Sequence, residues 1–236
     1  GTADPITLSD VKQSGATGIV SALHDVPIGE VWSVEKIRER IELIEASGLR
    51  WSVVESVPVH ESIKMGSDDR HRYIENYKQT VRNLGTCGLH RLCYNFMPVI
   101  DWTRTDLEFE WPDGSRALAF DALEFAVFEL HLLRRPGAEK DYDKSMVSRA
   151  AELFKRMDAA TCKRLEQTVI AGLPGRMVEA YSLSEFQAAL DAYKEVDAAA
   201  LRANLVHFLK EVVPVAEEAG VYMAIHPDDP PMSLLG

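Results

Sequence analysis

Four short apolar runs limit what this chain can fold into. They are Gly18–His24 (Gly-Ile-Val-Ser-Ala-Leu-His), Trp51–Ser56, Arg91–Phe96 and Val221–His226, and amphipathic stretches separate the first three. In the first stretch an N-cap candidate, Ser33, precedes Val34, Ile37, Ile41 and Ile44 at helical spacing, with Gly48 just past the end. The second runs from about Arg70 to Leu84 and keeps Tyr73, Tyr77, Val81 and Leu84 on one face. Connections of 26 residues (25–50) and 34 residues (57–90) suit crossover helices and not hairpins. Such alternation predicts an α/β fold built on a parallel sheet.

The rhythm breaks after the third run. Residues 97–220 make 124 positions before the fourth run, where about 30 suffice for a crossover. The surplus reads as helical. Asp121-Ala-Leu-Glu124 and Ser182-Leu-Ser-Glu185 have capping-box spacing, and Asp197–Ala219 keeps Leu201, Leu205, Phe208 and Val212 on one side. Pro214 predicts a kink or break in that last helix. Turns are expected at 135–137 (Arg-Pro-Gly) and 173–175 (Leu-Pro-Gly). Insertions after a barrel strand sit above the pocket, so 97–200 is expected to form a helical cap or a subunit contact within one domain spanning 1–236.

Charge narrows the partners. With 26 basic against 37 acidic residues the net charge is −11, which argues against a nucleic acid or an anionic membrane surface. A small anionic substrate stays open, because local charge in a pocket can oppose the global sign. Cys87, Cys93 and Cys162 form no CxxC pair, which fits a reduced, cytoplasmic compartment. No run approaches the ~18 apolar residues of a membrane span, and no charged-then-apolar leader opens the chain. It starts at Gly1 without an initiator Met, from which N-terminal trimming is expected. GxGxxG, Walker A, GxSxG and HExxH are all missing from the sequence, so dinucleotide, P-loop and serine-hydrolase chemistry lack support.

Alternation along a strand allows phase to be checked. Val20, Ala22 and His24 share one face; so do Val53 and Glu55, Cys93 and Asn95, and Tyr222, Ala224 and His226. Each strand therefore ends on a polar residue in phase with small or mixed neighbours, placing His24, Glu55, Asn95 and His226 at one C-terminal mouth. Barrel enzymes draw their catalytic groups from that end of several strands. Neutral imidazole makes His226 a candidate divalent-metal ligand, although one His is not a site. Asp228 and Asp229 beyond it can orient it, act on a substrate, or cap the turn. His60, His71, His90, His131 and His207 read as surface or packing residues. After the third strand, Arg104 can fork onto a carboxylate with Asp101, Trp102 and Thr103 shaping the loop, or can sit in an ordinary ion-paired loop. Trp32 is either a pocket wall or a helix staple.

Longer strings carry a resemblance. Gly15–His24, Gly29-Glu-Val-Trp-Ser33, Trp51–Pro58, Cys93–Pro98, Asp101–Leu107 and His226-Pro-Asp-Asp-Pro-Pro231 resemble the D-mannonate dehydratase family across essentially the whole chain. The resemblance implies a xylose-isomerase-like TIM (β/α)8 barrel, of which this chain supplies strands 1–4 plus the insertion after strand 3. It implies dehydration of D-mannonate to 2-dehydro-3-deoxy-D-gluconate in hexuronate (glucuronate) breakdown, with Mn²⁺ or Fe²⁺. In that family a His at the end of the fourth strand is the first metal ligand, and the matching residue is His226. The remaining ligands and the principal catalytic residues are expected beyond Gly236, and Cys87, Cys93 and Cys162 lie in the wrong region to be the ligand Cys. His24, Asn95, Arg104, Asp228 and Glu55 are the candidate substrate-binding residues, in a homo-oligomer. Alternatives are a sugar isomerase or epimerase on the same barrel, or a non-catalytic sugar-acid binding protein. Four strands cannot close a barrel, so residues 1–236 alone are expected neither to fold stably nor to dehydrate mannonate.

Overall fold

Helix-forming and strand-forming segments alternate as the hydrophobic spacing predicts, and a computed structural model describes residues 5–100, 102–171 and 182–236. The chain runs α1 (Leu8–Gln13), β1 (Gly18–Ser21), α2 (Val34–Glu45), β2 (Arg50–Glu55), α3 (Glu61–Met65), α4 (Arg70–Thr86) and β3 (Arg91–Tyr94). There follow β4 (Asp106–Glu110), β5 (Arg116–Ala119), α5 (Ala122–Val127), α6 (Lys144–Phe154), α7 (Ala159–Ala171), α8 (Leu183–Asp191), α9 (Ala198–Glu218) and β6 (Tyr222–Ile225). These elements form two compact units, Gly1–Pro98 with Val196–Pro227, and Val99–Glu195 with Asp228–Gly236. Among the described residues no helix is long and apolar enough to cross a membrane.

The first unit is an α/β layer. Its sheet has the order β1-β2-β3-β6, and each neighbouring pair is parallel. Ser33 caps α2 by accepting from the Lys36 amide, and Asp197 caps α9 by accepting from the Ala200 amide. Ile37 and Ile44 of α2, Ile74, Tyr77, Val81 and Leu84 of α4, and Phe208 and Val212 of α9 share one core with Val54, Leu92 and Tyr94 of the sheet. The other sheet face is open: Val20 is 54% and Tyr222 79% exposed.

A bulge in β2 adjusts the phase. Ile19 pairs with Trp51 but Val20 with Val53, leaving Ser52 as an extra residue. Trp51 and Val54 are therefore both buried three positions apart, where strict alternation would separate them by two. The Trp51 indole donates to the Ser21 and Val53 carbonyls. Ser52 covers Gly18, where an added Cβ would lie 2.1 Å from Oγ.

In the second unit, α5 passes directly into a π-helical segment, Phe128–Leu133. Phe125, Phe128, Ala150, Leu165, Val169 and Phe186 form its core. Ser182 and Glu185 complete a reciprocal capping box on α8, while Asp121 caps α5 through the Leu123 and Glu124 amides. Glu129 is 1% exposed, pairs with Arg135 and accepts from Tyr142 Oη at 2.5 Å. Arg135 also pairs with Asp141.

Three expectations change. The stretch 97–200 is not wholly helical: β4 and β5 form an antiparallel hairpin with Phe109 opposite Ala117 and Glu110 opposite Arg116. Asp-Leu-Glu-Phe-Glu-Trp alternates with period two before Pro-Asp-Gly, which is a hairpin pattern. Pro214 does not break α9, which continues from Ala198 to Glu218. Both Pro214 and Lys210 one turn earlier are exposed, so water can satisfy the carbonyl deprived of its donor. The strands are also shorter than the apolar runs, so His24, Ser56, Asn95, Phe96 and His226 lie past their regular ends. The expected turn at 173–175 and the loop residue Asp101 fall outside the described residues.

Candidate functional site

Parallel pairing in the first unit aligns the strand ends. Glu55 lies beside Cys93, and Cys93 beside Ala224. One step beyond β6, the His226 amide donates to the Tyr94 carbonyl at 2.7 Å, extending the ladder to the residue that carries the imidazole. Asn95, one step beyond β3, is buried at 4% exposure, and His24, three steps beyond β1, is exposed.

The imidazole is oriented by its own turn. His226 Nδ1 lies 2.7 Å from the Pro227 carbonyl oxygen, which can only accept, so Nδ1 is the donor there, and in the neutral imidazole the lone pair falls on Nε2. Nε2 is 3.9 Å from Glu55 Oε1, too far for a hydrogen bond and near enough for both to meet one ligand. Burial pushes the Cys93 thiol up, and the neighbouring Glu55 carboxylate pushes it further. This thiol therefore stays protonated at neutral pH and is a poor nucleophile.

An imidazole lone pair beside a carboxylate has donor chemistry that suits a divalent transition metal. The number of donors is too small, however. Among the described residues no group of three or more His, Cys, Asp and Glu side chains is gathered closely enough to hold an ion.

Next to this mouth, the β1–α2 loop is fastened to α4. Asn76 Nδ2 donates to the Gly29 carbonyl at 2.8 Å, the Trp32 amide donates to Thr80 Oγ1 at 3.1 Å, and Asn83 Nδ2 donates to the Trp32 carbonyl at 2.7 Å. His60 stacks on Tyr73 at 3.5 Å, and the two rings leave no space for a side chain at Gly29, whose positive φ of 86° also favours glycine. A small cleft here is bounded by Pro27, Trp32, Val57, His60, Tyr73 and Tyr77. Trp32 thus lines the cleft, and it also precedes the Ser33 cap and is buried in the same core as Ile37, the staple arrangement. Burial pushes His60 below its ordinary value, and its Nδ1 accepts from the Ser62 amide to cap α3.

The second unit holds the other candidates. Arg104 Nη2 donates to Asp229 Oδ2 at 2.6 Å and Nη1 to the Thr103 carbonyl at 2.8 Å, with the Arg104 side chain only 14% exposed. Trp102 bridges to Asp229, whose carbonyl accepts from the Thr103 amide at 3.2 Å. Asp228 is exposed. The structure thus brings Glu55 together with His226, and Arg104 together with Asp229, a pairing across 125 residues that no sequence spacing announces. It also shows a buried lysine with no sequence signal: Lys64 Nζ donates to Glu61 at 2.6 Å and to the Met97 carbonyl at 2.7 Å, tying α3 to the exit of β3.

Comparisons with known proteins agree with one another. The family model described as D-mannonate dehydratase (UxuA) matches residues 1–236. A mannonate dehydratase of Chromohalobacter salexigens is 57% identical over 233 residues, covering 99% of this chain and 59% of that protein. One from a Marinomonas species is 53% identical with the same coverage. The crystal structure of mannonate dehydratase from Streptococcus suis serotype 2 superposes with a TM-score of 0.69 at 38% identity, covering 99% of this chain and 53% of the other. The chain therefore spans about three-fifths of the length of the curated relatives it matches. A family match over every residue, with identities above one half, has one reading: this chain belongs to the D-mannonate dehydratase (UxuA) family.

Proposed function

We propose that this chain forms part of an enzyme that removes water from D-mannonate to give 2-dehydro-3-deoxy-D-gluconate in glucuronate catabolism. The observation that carries the reading is His226, at the C-terminal end of a parallel strand, with Nδ1 turned to the Pro227 carbonyl and Nε2 within 3.9 Å of Glu55. In this reading the sheet β1-β2-β3-β6 supplies the first four strands of a TIM (β/α)8 barrel and residues 97–200 supply its cap. The mouth of that barrel is then the site. His226 is one of several metal ligands, and Mn²⁺ or Fe²⁺ is the ion.

Elimination from a sugar acid takes a proton from the carbon next to the carboxylate and expels hydroxide from the following carbon. A bound divalent cation supplies stabilisation of the charge that builds on the carboxylate oxygens. The residues of this chain bind and orient. Glu55 accepts from a substrate hydroxyl, Asn95 and His24 contact hydroxyls, and Asp228 is a further polar contact. Arg104 takes the carboxylate, because its planar fork matches two oxygens at once. We place the enzyme in the cytoplasm as a homo-oligomer.

The test is His226→Ala in the whole protein. Bound Mn²⁺ or Fe²⁺ measured by elemental analysis is expected to fall at least tenfold, with formation of the 2-keto-3-deoxy acid lost. Unchanged metal content and turnover would remove His226 from the ligand set. A different product from mannonate would point to an isomerase or epimerase.

A further inference from the structure

We propose that Asp229 is a positioning residue that holds the Arg104 guanidinium in the orientation needed to receive an anionic group, the carboxylate of a sugar acid. The inference rests on the proposed reading of Arg104 and adds a residue to it.

The geometry is specific. A guanidinium carries five N–H donors in a plane, and here two are engaged, one by Asp229 Oδ2 at 2.6 Å and one by the Thr103 carbonyl at 2.8 Å. Both bonds come from the terminal nitrogens, so the plane cannot rotate without losing one. Among the described residues the other three donors have no protein partner, although the side chain is only 14% exposed. None of the three is a buried orphan, so they remain within reach of a ligand, and a planar carboxylate is the acceptor whose shape fits them.

Asp229 is itself held in place. Its carbonyl accepts from the Thr103 amide at 3.2 Å and its backbone bridges to Trp102, so the carboxylate is fixed relative to the residues flanking Arg104. A side chain placed only to cap the turn after β6 would have no need to reach a residue 125 positions earlier. Exposure differs across the pair: Asp229 is 39% exposed and Arg104 14%. A partly exposed pair of this type contributes little to stability, so its consequence is where it places the less exposed member, the arginine. Asp229 also lowers the cost of burying the cation before a ligand arrives.

The experiment uses the whole, metal-loaded protein and the variants Asp229→Asn, Arg104→Lys and the double variant. Asp229→Asn keeps the shape and removes the charge. It is expected to raise KM for D-mannonate roughly ten- to a hundredfold with a much smaller change in kcat, while the melting temperature stays near that of the unmodified protein. Arg104→Lys keeps the charge and loses the fork, and Asp229→Asn added to it is expected to change KM by no more than about threefold, because Asp229 acts through Arg104. An unchanged KM in Asp229→Asn overturns the inference, as do effects of the two substitutions that simply multiply. So does a melting temperature that falls with KM untouched, the behaviour of a structural ion pair. If the unmodified protein binds hexonates by calorimetry without dehydrating mannonate, the proposed reaction fails alone, and the same comparisons are made on the dissociation constant. If it binds no hexonate, both readings fall.

Discussion

Glu129 shows how much can rest on one side chain. It is a carboxylate at 1% exposure within a π-helical segment, and it is kept there by the Arg135 guanidinium and the Tyr142 hydroxyl. Burial and the adjacent Glu129 carboxylate together push the Tyr142 phenol far above its ordinary range, so the hydroxyl remains a donor. Replacing Glu129 by Gln leaves Arg135 largely buried with Asp141 as its remaining carboxylate partner. The expected loss is about 3–5 kcal/mol, read from urea denaturation, because removing one member of a buried pair exposes the desolvation cost of the other. Tyr142→Phe removes a single donor and is expected to cost about 1–3 kcal/mol. None of this is visible in the sequence, where Phe-Glu-Leu-His-Leu-Leu looks like any helix with a charge on its solvent side. His226 lies at the opposite extreme. Its place at a strand end followed by Pro-Asp-Asp-Pro-Pro was legible from the residue pattern, because a strand must stop where proline removes its donors. Its tautomer was not legible, since that depends on where the Pro227 carbonyl turns.

Among elements, α4 both packs against α9 and fastens the β1–α2 loop. Gly85 lies where α4 meets the C-terminus of α9: an added Cβ would lie 2.4 Å from the Ala219 carbonyl oxygen. Backbone cannot swing aside as a side chain can. Gly85→Ala gains up to about 1 kcal/mol of helix propensity, yet the clash is expected to cost about 1–3 kcal/mol. The substitution should therefore lower the melting temperature, and a rise would show that the two helices can separate freely. Helices α2, α4 and α9 were legible because their apolar residues recur at helical spacing and Ser33 and Asp197 are competent caps. The hairpin β4–β5 is harder to read although Trp-Pro-Asp-Gly-Ser marks its turn: a strand that alternates acidic and apolar residues resembles a solvated helix edge when read for charge alone. The bulge at Ser52 is invisible in sequence, because alternation in β2 fails by one residue and nothing in Trp-Ser-Val-Val says where.

For the whole molecule, protonation acts at several separate places. His60, His131 and His207 are all pushed below 6.5, chiefly by burial; His207 is lowered further by Arg70, His71 and Lys78 while Glu211 pulls it up. Between the lowered values and 6.5 the unfolded chain binds more protons than the folded one, so stability rises with pH in that window. It is complete above 6.5 and is lost as pH falls below it. Calorimetry between pH 8 and pH 5 should show a steady melting temperature down to about 6.5 and a decline below, and His131→Gln with His207→Gln should flatten the decline. At this scale the sequence carried the parallel α/β plan and the family, since both are written in long-range spacing and in long strings. The joining of the second unit's own residues, Arg104 to Asp229, needed coordinates. The loop from Pro27 to Ser33 has a further consequence. Three side chains of α4 and the ring stack of His60 on Tyr73 hold it before any substrate arrives, so its conformational entropy has already been surrendered during folding. A ligand reaching that part of the mouth meets a surface it need not organise, and recognition there costs little in ordering.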